Sequence, residues 1–133
     1  MSAVLADTHT IVWYLATPAR LSANAVQALD GATQAGVPIY VATMSVVEVT
    51  YLVEKGRLQP PTLVRLRHAL ADPVSGLVAV ALDLAVAQAL AAIPRTAVPE
   101  LPDRIIAATA LHLTIPLVTR DQRIRASGVT TIW

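Results

Sequence analysis

Residues 3–13, AVLADTHTIVW, place an acid where a short apolar run gives way to a helical pattern. Ala3 to Ala6 has the uniform apolar character of a strand buried on both faces, and Ile11, Val12 and Leu15 recur at helical spacing after Thr8. A buried strand that runs straight into a helix is the opening of a βα unit, with Asp7 at the joint. The alternation continues along the chain. Strand-like runs at 39–42 (IYVA), 77–82 (LVAVAL), 116–119 (PLVT) and a closing VTTIW lie between helical patterns at 8–16, 22–35, 44–55, 62–71, 83–92 and 103–113. The expected fold class is α/β, a three-layer arrangement with a mainly parallel central sheet covered by helices on both faces.

Local chemistry supports these boundaries. Ser22 is an N-cap type and Gly36 follows the end of the second helix; Asp83 is placed to cap the fifth. The segment 44–55, MSVVEVTYLVEK, has enough β-branched residues to suit a strand, but Lys55-Gly56 is a helix stop. Pro60-Pro61 precedes the fourth helix. The proline-containing connectors are short and no repeat is visible, so residues 1–133 are expected to form one domain.

Composition narrows the class. Hydrophobic residues make up 55% of the chain and charged ones 14%, so a monomer should leave apolar surface uncovered, which favours a homodimer or a protein partner. The net charge of +1 decides nothing about nucleic acid, because placement matters more than the total. With no cysteine, disulfides, thiolate zinc sites and cysteine nucleophiles are excluded, and a reducing cytoplasm is compatible. Asp7 interrupts the first apolar run before a secretory signal could form. Residues 74–93 imitate a membrane span, but Asp83 near the centre would cost roughly 2.5–3.5 kcal/mol on insertion, and a strand followed by a capped helix explains the same residues.

Three further acids stand in apolar surroundings. Glu48 is the one charge in VVEVTYLV, Asp103 opens the apolar helix of LPDRIIAATALHL, and Asp121 follows the strand in PLVTRDQRI. Singly, each has an ordinary reading as a cap, a dipole partner or a solvated residue. Collectively they are four of only nine acids, set where desolvation is costly. In open α/β sheets ligands bind beyond the carboxyl ends of the strands, where Asp7 and Asp121 are expected. Carboxylates converging there would repel one another unless a cation neutralised them, and all-oxygen ligands select Mg2+ or Mn2+. One or two such ions suit phosphodiester hydrolysis.

These four acids, in this order and with these neighbours, resemble the PIN-domain nucleases, in particular the VapC-like toxins of toxin–antitoxin pairs. The likeness runs through LADTHTIVW, IYVATMSVVEVTYLVEKGRL, LPDRIIAATAL, LVTRD and the terminal IW. It implies an α/β/α fold and a metal-dependent ribonuclease neutralised by a cognate antitoxin. It also implies that Asp7, Glu48, Asp103 and Asp121 bind the metal and carry catalysis, with Thr119 hydrogen-bonded to the acidic cluster. Similar sequences often have Asp three residues before the helix-opening acid, where this chain has Glu100, expected here as a surface loop residue.

Other residues carry smaller expectations. Arg104, Arg120, Arg123 and Arg125 cluster beside the two C-terminal acids and are candidates for RNA phosphate contacts. Arg65, Arg67 and His68 are expected on a solvent face, and His9 has no assigned role. Ser45 lies three residues before Glu48, a capping-box spacing that would fix where Glu48 points. Trp13 and Trp133 are candidates for exposed apolar surface, and the terminal IW either closes the sheet or meets a partner. Two rival functions fit the residues: a nuclease of the same fold in RNA maturation or on structured DNA without an antitoxin, and a non-catalytic binding module.

Overall fold

A computed structural model describes residues 2–133. The elements run β1 (Val4–Ala6), α1 (Thr8–Ala16), α2 (Ala23–Ala35), β2 (Ile39–Ala42), α3 (Thr43–Glu54), α4 (Pro60–Ala71), β3 (Leu77–Val80), α5 (Leu84–Ala89), α6 (Leu101–Leu113), β4 (Leu117–Val118), α7 (Gln122–Arg125) and β5 (Thr131–Ile132). Short 3-10 turns occupy Pro18–Arg20 and Leu90–Ala92. All strand pairings are parallel, in the order β3-β2-β1-β4-β5.

Alternation along the strands sorts side chains into two cores. Val4 and Ala6 of β1, with Ile39 and Val41 of β2 and Val118 of β4, pack against Ile11, Trp13, Leu29, Val49 and Leu66 from α1 to α4. Leu5, Ala42 and Leu117 face the other way, onto Ile106, Ala107 and Ala110 of α6, Ile93, and Ile124 of α7. This is the three-layer arrangement expected from the pattern, with helices on both faces of the sheet.

Most boundaries follow the local chemistry. The Ser22 hydroxyl accepts from Ala25 N, Gly36 leaves α2 at φ +70°, and Asp83 accepts from Val86 N. Several details differ from expectation: α6 begins at Leu101, so Asp103 is its third residue, β4 is shortened to Leu117–Val118, and the short α7 after Asp121 was not expected. Pro60 and Pro61 lie inside the first turn of α4, where a missing N–H and a preset φ cost nothing. The 83–92 helix divides into α5 and the 3-10 turn. β3 ends at Val80, two residues early, because its partner β2 ends at Ala42. Strand β2 passes into α3 with no intervening residue, which puts Ser45 inside the first turn and removes the proposed capping box. Ser45 is fully buried, and its hydroxyl serves a different purpose, described below.

The chain order of the strands reverses between β1 and β4: successive strands are added on one side up to β3, and then β4 and β5 on the other. The two central strands therefore send their following loops in opposite directions, and a crevice opens at their carboxyl ends. Asp7 leaves β1 there, and Thr119 leaves β4.

Candidate functional site

Asp7 is the N-cap of α1: Thr8 N donates to its Oδ1 at 2.8 Å. Its other oxygen accepts from the Thr119 hydroxyl at 2.6 Å, a bond that ties the end of β1 to the end of β4. The Thr119 Oγ accepts in turn from Asp121 N at 3.0 Å, and Asp121 caps α7 by accepting from Arg123 N at 2.9 Å. Thr10 reinforces the same junction by donating to Val118 O at 2.8 Å. The expected pairing of Thr119 with the acidic cluster thus holds, through Asp7.

Glu48 arrives on the first turns of α3. The Thr8 hydroxyl donates to its Oε1 at 2.7 Å and lies 2.9 Å from the Ser45 hydroxyl. Because Thr8 has one hydroxyl proton and spends it on Glu48, Ser45 must donate to Thr8. Thr8 therefore holds Asp7 with its backbone and Glu48 with its side chain. Asp103 comes from the first turn of α6 and accepts no side-chain hydrogen bond among the described residues, so it is not a cap.

Asp7, Glu48, Asp103 and Asp121 line one cleft of about 590 Å3, together with Thr8, Thr10, His9, Trp13, Arg57, Glu100, Arg120 and Arg123, while Thr119 and Ser45 lie buried behind it. Burial raises the carboxyl pKa of Asp7 despite the opposing hydrogen bonds from Thr119 and Thr8. Burial also raises Glu48, against its Thr8 bond, and the Asp7 charge adds to the rise. Asp103 is pushed up to about 7, first by burial and then by repulsion from Asp7, Asp121 and Glu48. Four acids from four distant segments thus feel one another's charge. Among the described residues, however, no group of three or more His, Asp or Glu is gathered tightly enough to hold an ion as the side chains stand. The donor set is chemically suited to a hard divalent cation: oxygen only, mutually repelling, and in need of positive charge.

The basic residues divide. Arg120 and Arg123 line the cleft as expected, and Arg123 approaches Asp121 at 3.9 Å. Arg104 does not. Its guanidinium turns away to donate to Leu90 O and Ile93 O, closing the exposed carbonyl end of the 3-10 turn after α5. Arg125 borders a separate depression with Asn24 and Trp133. Arg57 was not anticipated: it follows Gly56, whose φ of +73° ends the α3 region, and only the packing of α3 against α4 brings it to the cleft. Glu100 is exposed, as a loop acid should be, yet it too borders the cleft. Trp13 is 5% exposed, so its expected place on an apolar surface is wrong; Arg20, Arg120 and Trp133 cover it. Arg65, Arg67 and His68 are exposed on α4 as expected.

Residues 4–128 match the model of the PIN domain, and the chain is 36% identical to Ribonuclease VapC22 of Mycobacterium tuberculosis over the full length of both. The chain belongs to the PIN-domain family. Within that family it is VapC-like. Solved structures share the PIN fold at lower identity. VapBC2 from Rickettsia felis, bound to a promoter DNA fragment, superimposes with a TM-score of 0.72 at 15% identity, covering 97% of this chain and 96% of that one. A toxin–antitoxin complex from Klebsiella pneumoniae gives 0.66 at 23%, covering 98% and 96%. FitAcB from Neisseria gonorrhoeae gives 0.60 at 24%, covering 96% and 95%. Crevice and fold in this PIN domain thus agree: the acids stand where the strand order reverses.

Proposed function

We propose that this chain is a divalent-metal-dependent endoribonuclease and the toxin of a toxin–antitoxin pair, with Asp7, Glu48, Asp103 and Asp121 as the carboxylates that hold Mg2+ or Mn2+. One observation carries the reading. Acids and arginines share a single cleft, yet the one ion pair among the described residues is the 3.9 Å contact of Arg123 with Asp121. Asp7, Glu48 and Asp121 are held by hydroxyls and backbone N–H groups; among the described residues Asp103 has no such bond, and Arg57 and Arg120 pair with none of the four. A cation together with a polyanion completes such a site, and a phosphodiester with its metal is that combination.

When bound, the cation supplies charge neutralisation and a water of lowered pKa. The chain's own residues prepare for it. Thr8 and Thr119 orient Asp7 and Glu48, keeping each with acceptor capacity toward the cleft. Asp103, which accepts no hydrogen bond among the described residues and is repelled by the other three acids, needs a counter-charge. Arg120, Arg123 and Arg57 face the strand's phosphates. Hydrolysis adds water at phosphorus while the bond to the leaving sugar oxygen breaks. The full-length likeness to a ribonuclease named VapC22 and the fold shared with antitoxin-bound proteins favour RNA and an antitoxin over the two rival functions.

Homodimerisation and antitoxin binding are proposed to cover the apolar surplus. Val47 and Tyr51 on α3, Leu84 at the start of α5 and Leu101 at the start of α6 are each more than half exposed. No helix among the described residues is long and apolar enough to cross a membrane, which fits the proposed cytoplasmic site of action. Induced expression in a bacterial host tests the toxin role: wild type is expected to arrest growth, and Asp7→Asn and Glu48→Gln to permit it. Growth arrest by both variants at equal protein levels would refute the reading.

A further inference from the structure

Trp13 is placed beneath two cations. The Arg20 guanidinium carbon lies 4.5 Å from the indole centroid and that of Arg120 4.8 Å, while the His9 ring stands 5.6 Å away and the Trp133 ring 6.2 Å. The indole is almost wholly buried, but both arginines are exposed. Neither has a carboxylate within ion-pair distance among the described residues. Arg120 and Trp13 line the acidic cleft; Arg20, on the 3-10 turn after α1, stands just outside it. The two guanidiniums therefore extend the cleft along one wall.

Cation–π attraction holds each guanidinium over the indole without consuming its N–H donors, so the planar fork stays available to a ligand. Such a fork fits the oxygens of a phosphate. A base is a poor fit, because the indole that would stack with it has no uncovered face. We infer that Arg20 and Arg120, mounted on Trp13, form a phosphate-binding subsite that grips the backbone of single-stranded RNA next to the scissile bond. Arg20 is the residue this adds, and the grip is independent of base identity. The inference rests on the ribonuclease reading and deepens it.

The test uses a fluorescent single-stranded RNA oligonucleotide with wild type, Arg20→Gln, Arg120→Gln and Arg20→Lys. Binding is measured by anisotropy in EDTA over a series of salt concentrations, and cleavage is measured with Mn2+. Each Gln variant is expected to weaken binding roughly 3- to 10-fold and to reduce the slope of log affinity against log salt by about 0.7, the value for one phosphate contact on a single strand. In cleavage the loss should fall on KM rather than kcat. Arg20→Lys retains the charge and should retain the salt slope, which a purely structural role for Arg20 would not predict. Wild-type slope and KM in Arg20→Gln, or a slope lost equally in Arg20→Lys, would overturn the subsite while leaving the nuclease reading intact. A wild type that cleaves no RNA with Mn2+ would overturn both.

Discussion

Asp103→Asn should stabilise the metal-free protein at pH 8, and at pH 5 by less than half as much. Asp103 has its pKa raised from 3.8 to about 7 by burial and by the charges of Asp7, Asp121 and Glu48. An acid whose folded pKa lies above its unfolded one costs stability as pH rises through the interval between the two values, where the unfolded chain ionises and the folded chain holds its proton. The cost is absent below about pH 4, where the group is protonated in both states; it grows between about 4 and 7 and is complete above 7. Taken at face value the shift amounts to roughly 4 kcal/mol at ~1.4 kcal/mol per unit. Asp103 is only half buried, so screening by solvent reduces this to about 1–2 kcal/mol. For a chain of this length such a gain raises Tm by roughly 3–10 °C. Thermal unfolding of both proteins in EDTA at the two pH values is the assay. A variant that melts at or below wild type at pH 8, or that gains as much at pH 5, would show that repulsion among the four acids is not what strains this cleft.

Further substitutions separate positioning from packing. Thr8→Val removes the hydroxyl shared by Glu48 and Ser45, and should cost about 1–3 kcal/mol of stability and weaken Mn2+ binding, with Thr8→Ser restoring both; calorimetric titration would show it. Thr119→Val takes the 2.6 Å bond from buried Asp7, so the Asp7 carboxyl should titrate at higher pH and metal affinity should fall more steeply on acidification. Arg104→Ala should lower stability by roughly 1–2 kcal/mol through the bared carbonyls of Leu90 and Ile93, while RNA affinity in EDTA stays at the wild-type value. A loss of RNA affinity without loss of stability would return Arg104 to the phosphate-binding group.

The fold was legible because period and punctuation agreed: AVLA beside THTIVW, IYVA beside a helix stopped at Lys55-Gly56, and Ser22 and Asp83 as caps all describe local chemistry. Asp7 and Asp121 were legible as cleft residues for the same reason, since each follows the carboxyl end of a buried strand. What escaped depended on tertiary geometry. Ser45 has the spacing of a capping box, but α3 begins three residues earlier than that motif requires, so its hydroxyl meets Thr8 across the core. Arg104 neighbours Asp103 in sequence, yet adjacent helical residues diverge in direction, and it reaches the preceding turn. Arg57 and Arg20 carry no spacing to the acids, and only the packing of α4 and the burial of Trp13 bring them near the cleft.

Acids from four segments are proposed to form one divalent-cation site that hydrolyses RNA. The most direct test of that site is cleavage of single-stranded RNA by purified wild type, Asp7→Asn and Asp103→Asn, with Mn2+ and with EDTA, on protein shown by circular dichroism to be folded. Wild type should cleave with Mn2+ and not in EDTA, and each variant should lose at least about 100-fold, as expected when a site stabilising the transition state is dismantled. Cleavage by wild type at the same rate in EDTA, or undiminished cleavage by either folded variant, would contradict the proposed site.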